Sequence, residues 1–113
     1  MLSGATWFRP YAVPMPLPAH RAPTHPGEVL LEEFLVPLGL TQSELAARIH
    51  VSYPRVNGLV HGKRGVTPDT ALRLSRLLGT TPEFWLNLQL AFDLWQAMHA
   101  EAARNIADIR PVA

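Results

Sequence analysis

Apolar residues recur three and four positions apart along most of the chain after residue 25, which is the spacing of one face of an α-helix. Pro26 begins the first such segment, PGEVLLEEFLVP, because proline is well tolerated in the first turn of a helix. Pro37 and Gly39 are expected to end this helix, since proline disrupts a helix interior and glycine is favoured just past a helix C-terminus. The side chains expected to face the core are Val29, Leu30, Phe34 and Leu35.

Two short helices are predicted next, separated by the tripeptide His50-Val51-Ser52. Thr41 and Glu44 form a capping box, which predicts a helix that continues to about residue 49. Ser52 is the next N-cap residue and predicts a helix over Tyr53–Val60. The side chains expected in the core are Leu45, Ala46, Ile49, Val56, Leu59 and Val60.

The last two helices are each predicted by a threonine followed by a proline. Thr67-Pro68 begins a fourth helix, which Gly79 is expected to end. Thr81-Pro82 begins a fifth helix that is expected to continue to Asn105, a length of about six turns. The hydrophobic pattern therefore predicts an all-α fold of five helices.

The predicted fifth helix carries two apolar faces. At about 100° per residue, one face consists of Phe84, Trp85, Leu88, Phe92 and Trp95. The other face consists of Leu86, Leu90, Leu94 and Ala97. A helix on the surface of one domain needs a single apolar face, so the second face favours contact with another copy of the chain in a homodimer. The alternative is that both faces lie in the core, covered by the N-terminal arm and the first helix.

Residues 1–23 form a proline-rich arm, because six of the 11 prolines of this 113-residue chain lie before residue 27. The arm also holds large apolar side chains, among them Trp7, Phe8 and Tyr11. Two interpretations of it stay open: residues 1–14 precede a natural start at Met15, or the aromatic side chains cover a partner protein or the second copy. The predicted organisation is an arm at 1–23, a helical domain at 24–103 and a C-terminal tail at 104–113.

Charge and composition narrow the class of function. The formal net charge is +1, yet the segment from Arg48 to Arg76 holds six basic residues against one acid, Asp69, and such a locally basic face attracts phosphate. Without cysteine, and with five histidines at no metal-ligand spacing, neither a disulfide nor a metal site is expected. No phosphate-binding loop or nucleophile motif is present, so no enzyme and no cofactor are expected. Without a recognisable signal peptide or membrane span, a cytoplasmic protein is expected.

One motif gives the sequence a recognisable family. Gln42, Ala46, Val51 and Ser52 match the pattern Q-x-x-x-A-x-x-x-G-V-S, with His50 in place of glycine, and so resemble the Xre/lambda-repressor helix-turn-helix family. Histidine tolerates the left-handed backbone expected at that glycine position better than a branched residue does. The segments HPGEVLLEEFL, GKRGVTPDTALRLSRLLGTTPEFWLNLQ and FDLW are similar to HigA-type antitoxins of type II toxin-antitoxin modules, over about residues 22–98. The resemblance implies a lambda-repressor-like helix-turn-helix fold.

The same resemblance implies a function. A HigA-type antitoxin binds operator DNA as a homodimer and represses its own operon, and it binds a HigB-like toxin of the RelE type, which cleaves mRNA. Two alternatives remain open: a stand-alone helix-turn-helix repressor without a toxin, and an adaptor that binds only protein.

The resemblance also implies which residues contact DNA. Those expected on phosphates at the start of the second helix are Gln42 and Ser43. Those expected at or near base edges are Ser52, Tyr53, Pro54, Arg55 and Asn57. Those expected on the DNA backbone further on are His61, Lys63 and Arg64. Arg55 and Asn57 are expected to form the base-specific hydrogen bonds, because arginine matches guanine and asparagine matches adenine.

Overall fold

The computed structural model describes residues 22–112, which form helices and no strand. The all-α prediction is thereby confirmed. The predicted arm lies outside the described residues except for its last two positions, and so do both interpretations of it. Helix α1 consists of three successive segments, Pro26–Val29, Leu30–Leu35 and Val36–Leu38. The other helices are α2 (Gln42–Arg48), α3 (Tyr53–Val60), α4 (Pro68–Leu78), α5 (Pro82–Met98) and α6 (Ala103–Ala107).

Helix α1 continues through Pro37, so the prediction that this proline ends the helix is wrong. The middle segment, Leu30–Leu35, is π-helical, and at its end the Val36 N–H donates to the Leu31 carbonyl, five residues back. In a regular α-helix the ring of a proline clashes with the carbonyl four residues earlier, and a wider turn just ahead of Pro37 leaves room for that ring. The helix ends at Gly39, whose backbone is left-handed with φ 66°, as the sequence predicted.

The four helices α2 to α5 begin as the sequence predicted. Each has an N-cap side chain that accepts a hydrogen bond from the backbone N–H three residues later, and the caps are Thr41, Ser52, Thr67 and Thr81. The capping box of α2 is complete, since the Thr41 N–H donates to Glu44 Oε1 over 2.8 Å. This hydrogen bond holds the pKa of the Glu44 carboxyl below its usual value.

One hydrophobic core joins α1 to α5. Trp85 of α5 is fully buried in it, and the indole Nε1 donates to Thr80 Oγ1 over 2.7 Å, which satisfies the polar atom of a buried ring. Phe34 of α1 packs against this indole with 5.3 Å between ring centroids. The other buried residues of the core are Leu30, Leu35, Leu45, Ala46, Ile49, Val56, Leu59, Val60, Val66, Ala71 and Leu74.

Helix α5 ends at Met98, so the prediction of a single helix reaching Asn105 is wrong. At its end the His99 ring stacks on Trp95 with 3.8 Å between centroids, and His99 Nδ1 lies 2.9 Å from the Trp95 carbonyl oxygen. A side chain that occupies one of the last carbonyls competes with continuation of the helix. The separate short helix α6 follows, and the sequence pattern had merged it with α5.

His25 fixes the start of α1 against α5. Its Nδ1 accepts a hydrogen bond from the Gly27 N–H over 2.9 Å, and its ring meets Phe92 edge-on with 4.8 Å between centroids. Burial lowers the pKa of His25 below its usual 6.5, while the charges of Asp93 and Glu28 act in the opposite direction. Protonation of Nδ1 would remove the acceptor that caps the helix.

We expect the free energy of unfolding to decrease as the pH falls below 6.5, because His25 in the unfolded chain then binds a proton that folded His25 does not. The stabilising contribution of neutral His25 is fully present above the pKa that His25 has in the unfolded chain. It is lost as the pH falls towards the lower pKa that His25 has in the folded protein. The variant His25→Asn keeps an N-cap acceptor but does not titrate, so its stability should depend less on pH. Urea unfolding of both proteins at about pH 7.5 and about pH 5.5 measures the difference. The same pH dependence in both proteins would contradict this role of His25.

Candidate nucleic-acid interface

Helices α2 and α3 form a helix-turn-helix in which His50 adopts the left-handed conformation. Its φ is 63°, and no other non-glycine residue in the described part of the chain has a positive φ. Arg73 of α4 supports this turn, because its Nη1 donates to the Ile49 carbonyl over 2.8 Å and to the His50 carbonyl over 3.4 Å. The carbonyls at the end of α2 thus have a charged donor, which helps to hold a backbone conformation that is unfavourable for histidine.

Helix α3 exposes its N-terminal end and buries its inner face. Ser52, Tyr53 and Pro54 are exposed at this end, and 47% of the Tyr53 surface is accessible. Val56 and Leu59 are buried on the opposite side. Such an arrangement can bring the first turn of a helix to the base edges of a major groove without unfolding the core.

Asn57 lies in a small polar cluster with Gln42 and Tyr53. Its Nδ2 donates to Gln42 Oε1 over 3.0 Å and to the Tyr53 hydroxyl over 3.3 Å. A bidentate contact with adenine needs both the amide nitrogen and the amide oxygen of an asparagine, and here the nitrogen is already engaged. The direct reading of adenine that the sequence predicts for Asn57 therefore requires Nδ2 to leave Gln42 or Tyr53.

The guanidinium of Arg55, the other side chain predicted to read a base, is held by α4 in this structure. Nη2 of Arg55 donates to Asp69 Oδ2 over 2.8 Å and to Thr70 Oγ1 over 2.7 Å. The side chain is 32% exposed. Asp69 stands out in the sequence as the only acid of the basic segment. The sequence does not show that Arg55 is its partner, because the two residues lie 14 positions apart along the chain.

The loop after α3 presents basic side chains to solvent. His61, Lys63 and Arg64 are all exposed, and the two ion pairs found in residues 22–112 involve neither Lys63 nor Arg64. Helix α5 holds the end of this loop, since Gln89 Oε1 accepts a hydrogen bond from the Val66 N–H over 2.7 Å. The sequence pattern gave no signal for this contact between residues 23 positions apart.

The outer face of α5 is exposed over most of its length. Leu90 and Leu94 are 54% and 42% exposed, and Ala97 is exposed as well. Leu86, which was predicted to share this face, is half-buried and packs against the core instead. On the inner face Trp85 is buried and Phe84 is 38% exposed, while the half-buried residues are Leu88, Phe92 and Trp95. The first helix therefore does not bury Leu90 and Leu94, and the arm, the other cover that the alternative requires, lies outside the described residues except for positions 22 and 23.

Other kinds of site receive no support from the part of the chain that the structure describes. Within residues 22–112 no three or more histidine, aspartate or glutamate side chains lie together in a way that could hold a metal ion. None of the helices described has both the length and the apolar character needed to cross a membrane.

Comparisons with known proteins agree with this geometry. Residues 31–85 match a family model described as helix-turn-helix. Virulence-associated protein I of Dichelobacter nodosus is 49% identical over 82 residues, which cover 73% of this chain and 76% of that protein. Antitoxin HigA-1 of Vibrio cholerae is 47% identical over 76 residues, which cover 66% of this chain and 70% of that protein. The solved structure of antitoxin GraA in complex with its operator superposes with a TM-score of 0.76 at 43% identity, covering 86% of this chain and 98% of that one.

Proposed function

This chain belongs to the helix-turn-helix family that includes the HigA-type antitoxins, and on that premise we propose that it is an antitoxin. As a homodimer it binds operator DNA and represses its own operon, and it neutralises a HigB-like, mRNA-cleaving toxin by direct binding. It acts in the cytoplasm and has no catalytic activity. The observation that carries the DNA-binding part is the exposed N-terminal end of α3 next to the exposed basic loop of Lys63 and Arg64.

The proposed base-edge contacts come from the first turn of α3. Ser52 and Tyr53 present hydroxyl groups there, and Pro54 presents an apolar surface that suits a thymine methyl group. The missing N–H of Pro54 is harmless, because a backbone N–H in the first helical turn has no partner within the helix. Asn57 contributes by holding the Tyr53 hydroxyl in place.

The proposed phosphate contacts lie on both sides of α3. Gln42 and Ser43 stand at the N-terminal end of α2, where free backbone N–H groups and the helix dipole favour an anion. His61, Lys63 and Arg64 lie beyond the other end of α3, in the exposed basic loop. These contacts position the protein on the duplex without reading sequence.

We expect Lys63→Ala to weaken binding to operator and non-operator DNA by the same factor, because a phosphate contact carries no sequence information. The slope of the logarithm of affinity against the logarithm of salt concentration should fall by about one. Arg104→Ala in α6 removes the same charge from a helix outside the helix-turn-helix and serves as the control. A change in the ratio of operator to non-operator affinity in Lys63→Ala would contradict the phosphate role.

Coexpression with the neighbouring open reading frame tests the proposed function as a whole. The neighbour alone should arrest growth, this chain should relieve the arrest, and the two proteins should copurify. The purified chain should also bind DNA from upstream of its own gene, with an affinity that falls as salt increases. DNA binding without a toxic or copurifying neighbour would favour the stand-alone repressor. Toxin binding without DNA binding would contradict the proposed autorepression.

A further inference from the structure

Arg55 is the only arginine of α3, and in this structure it cannot make the two-bond contact by which arginine recognises guanine. A guanidinium has two edges that offer a parallel pair of N–H donors, Nη1 with Nη2 and Nε with Nη2, so both edges need Nη2. Nη2 of Arg55 has two hydrogens, and its two hydrogen bonds go to Asp69 Oδ2 and Thr70 Oγ1. Arg55 must leave Asp69 before either edge becomes available to a base.

Asp69 is at the same time bound to the helix-turn-helix through a second arginine. The Oδ2 atom that accepts from Arg55 also accepts from Arg73 Nε over 2.8 Å, and Arg73 donates to the Ile49 carbonyl at the end of α2. Hydrogen bonds from Arg73 and Arg55 hold the pKa of the Asp69 carboxyl below its usual value, so this group is ionised at neutral pH. Because Arg73 is also bound to the end of α2, it holds Asp69 in place even when Arg55 moves away.

We propose that Asp69 is a specificity-determining residue of the DNA interface. It holds Arg55 away from DNA of arbitrary sequence and releases it only where a correctly placed guanine accepts its hydrogen bonds. This inference rests on the proposed DNA-binding function and deepens it. In the free protein the Asp69 carboxylate neutralises Arg55, so the recognition helix has less attraction for phosphates of any sequence. Only a base with two matching acceptors offsets the loss of both hydrogen bonds that Arg55 makes within the protein.

The variant Asp69→Asn tests the proposal on two duplexes of equal length, the DNA upstream of the gene and a shuffled version of it. Without the carboxylate Arg55 is free to contact phosphates, so affinity for the shuffled duplex should increase and its salt slope should steepen by about one. The ratio of upstream to shuffled affinity should fall by about tenfold. In the double variant Arg55→Ala, Asp69→Asn, the gain on shuffled DNA should disappear, because the released group is absent.

Two further variants keep the outcome interpretable. Asp108→Asn makes the same change of charge in the C-terminal tail and should leave the affinity ratio unchanged. Thr70→Val removes the second acceptor of Arg55 together with the hydrogen bond that Thr70 Oγ1 accepts from the Thr67 hydroxyl, and it leaves Asp69 in place. It should therefore lower the affinity ratio as Asp69→Asn does, even if Asp69→Asn does not fold. A purely structural role of Asp69 would instead weaken binding to both duplexes equally.

The possible failures of the inference and of the proposed function differ. If the unaltered protein binds neither duplex, the proposed DNA-binding function is contradicted, and so is this inference. If the unaltered protein prefers upstream DNA while Asp69→Asn and Thr70→Val leave both the ratio and the salt slope unchanged, only the role assigned to Asp69 is overturned.

Discussion

Replacing both Leu90 and Leu94 with aspartate is expected to leave the protein folded but monomeric and to weaken operator binding by about 100-fold or more. Both leucines lie on the outer face of α5, exposed by 54% and 42%, and neither belongs to the core. A carboxylate at either position is well hydrated in the monomer but would be buried without a partner in a dimer interface. Each monomer would then contact a single half-site and lose the gain that comes from linking two binding units.

Sedimentation velocity and a titration with upstream DNA measure the two parts of this prediction. The double variant Val36→Asp, Leu72→Asp is the matched control, because these two apolar side chains are 64% and 60% exposed but lie on α1 and α4. The control protein should remain dimeric. A Leu90→Asp, Leu94→Asp protein that stays dimeric would show that the second copy binds elsewhere.

The variant Gly27→Ala is expected to lower the free energy of unfolding by about 2 kcal/mol or more. A Cβ atom at Gly27 would lie 1.7 Å from the Leu59 carbonyl oxygen and 2.6 Å from the Leu59 carbonyl carbon. Both are backbone atoms of α3, so no side-chain rotation can relieve the clash, and α1 must move away from the recognition helix. The start of α1 thus needs glycine for a close helix crossing, although alanine is intrinsically the better helix former.

Gly58→Ala is the matched control for this effect. The three atoms nearest to a Cβ atom at Gly58 would all belong to the Arg64 side chain, with the nearest at 3.0 Å, and that flexible side chain can move. We expect this variant to be as stable as the parent protein or more stable, by up to about 1 kcal/mol, because alanine replaces glycine inside a helix. Thermal or urea unfolding of the three proteins gives the comparison. Similar stability of Gly27→Ala and Gly58→Ala would contradict the close crossing.

The boundaries that the sequence predicted well depend on local signals. Thr41 with Glu44, Ser52 and Thr67 cap their own helices, so the starts of α2, α3 and α4 can be inferred from a few neighbouring residues. The predicted end of α5 was wrong. The helix end depends on the stacking of His99 on Trp95, which a hydrophobic pattern does not predict. The passage of α1 through Pro37 was missed for a similar reason, since a π-helical segment accommodates the ring.

The family was correctly inferred from the sequence, whereas side-chain partners in the interface were not. The resemblance to HigA-type antitoxins is confirmed by the relatives and by the solved structures. The exposed start of α3 also follows from the sequence, because Val56, Leu59 and Val60 all lie on the opposite side of this helix. Asp69 lies 14 residues from Arg55 and Gln42 lies 15 residues from Asn57, so these pairs become neighbours only when α4 and α2 pack against α3. Direct reading by Arg55 and Asn57 stays a prediction, and in this structure both side chains are engaged within the fold.

Hydroxyl-radical footprinting on the DNA upstream of the gene tests most directly whether two copies of α3 read one operator. Two protected patches on one face of the duplex are expected, with two-fold symmetry and centres about 10 base pairs or a multiple of this apart. The same experiment with Leu90→Asp, Leu94→Asp should give no protection at equal protein concentration. A single unpaired patch, or uniform protection along the fragment, would contradict dimeric recognition of an operator by this helix-turn-helix.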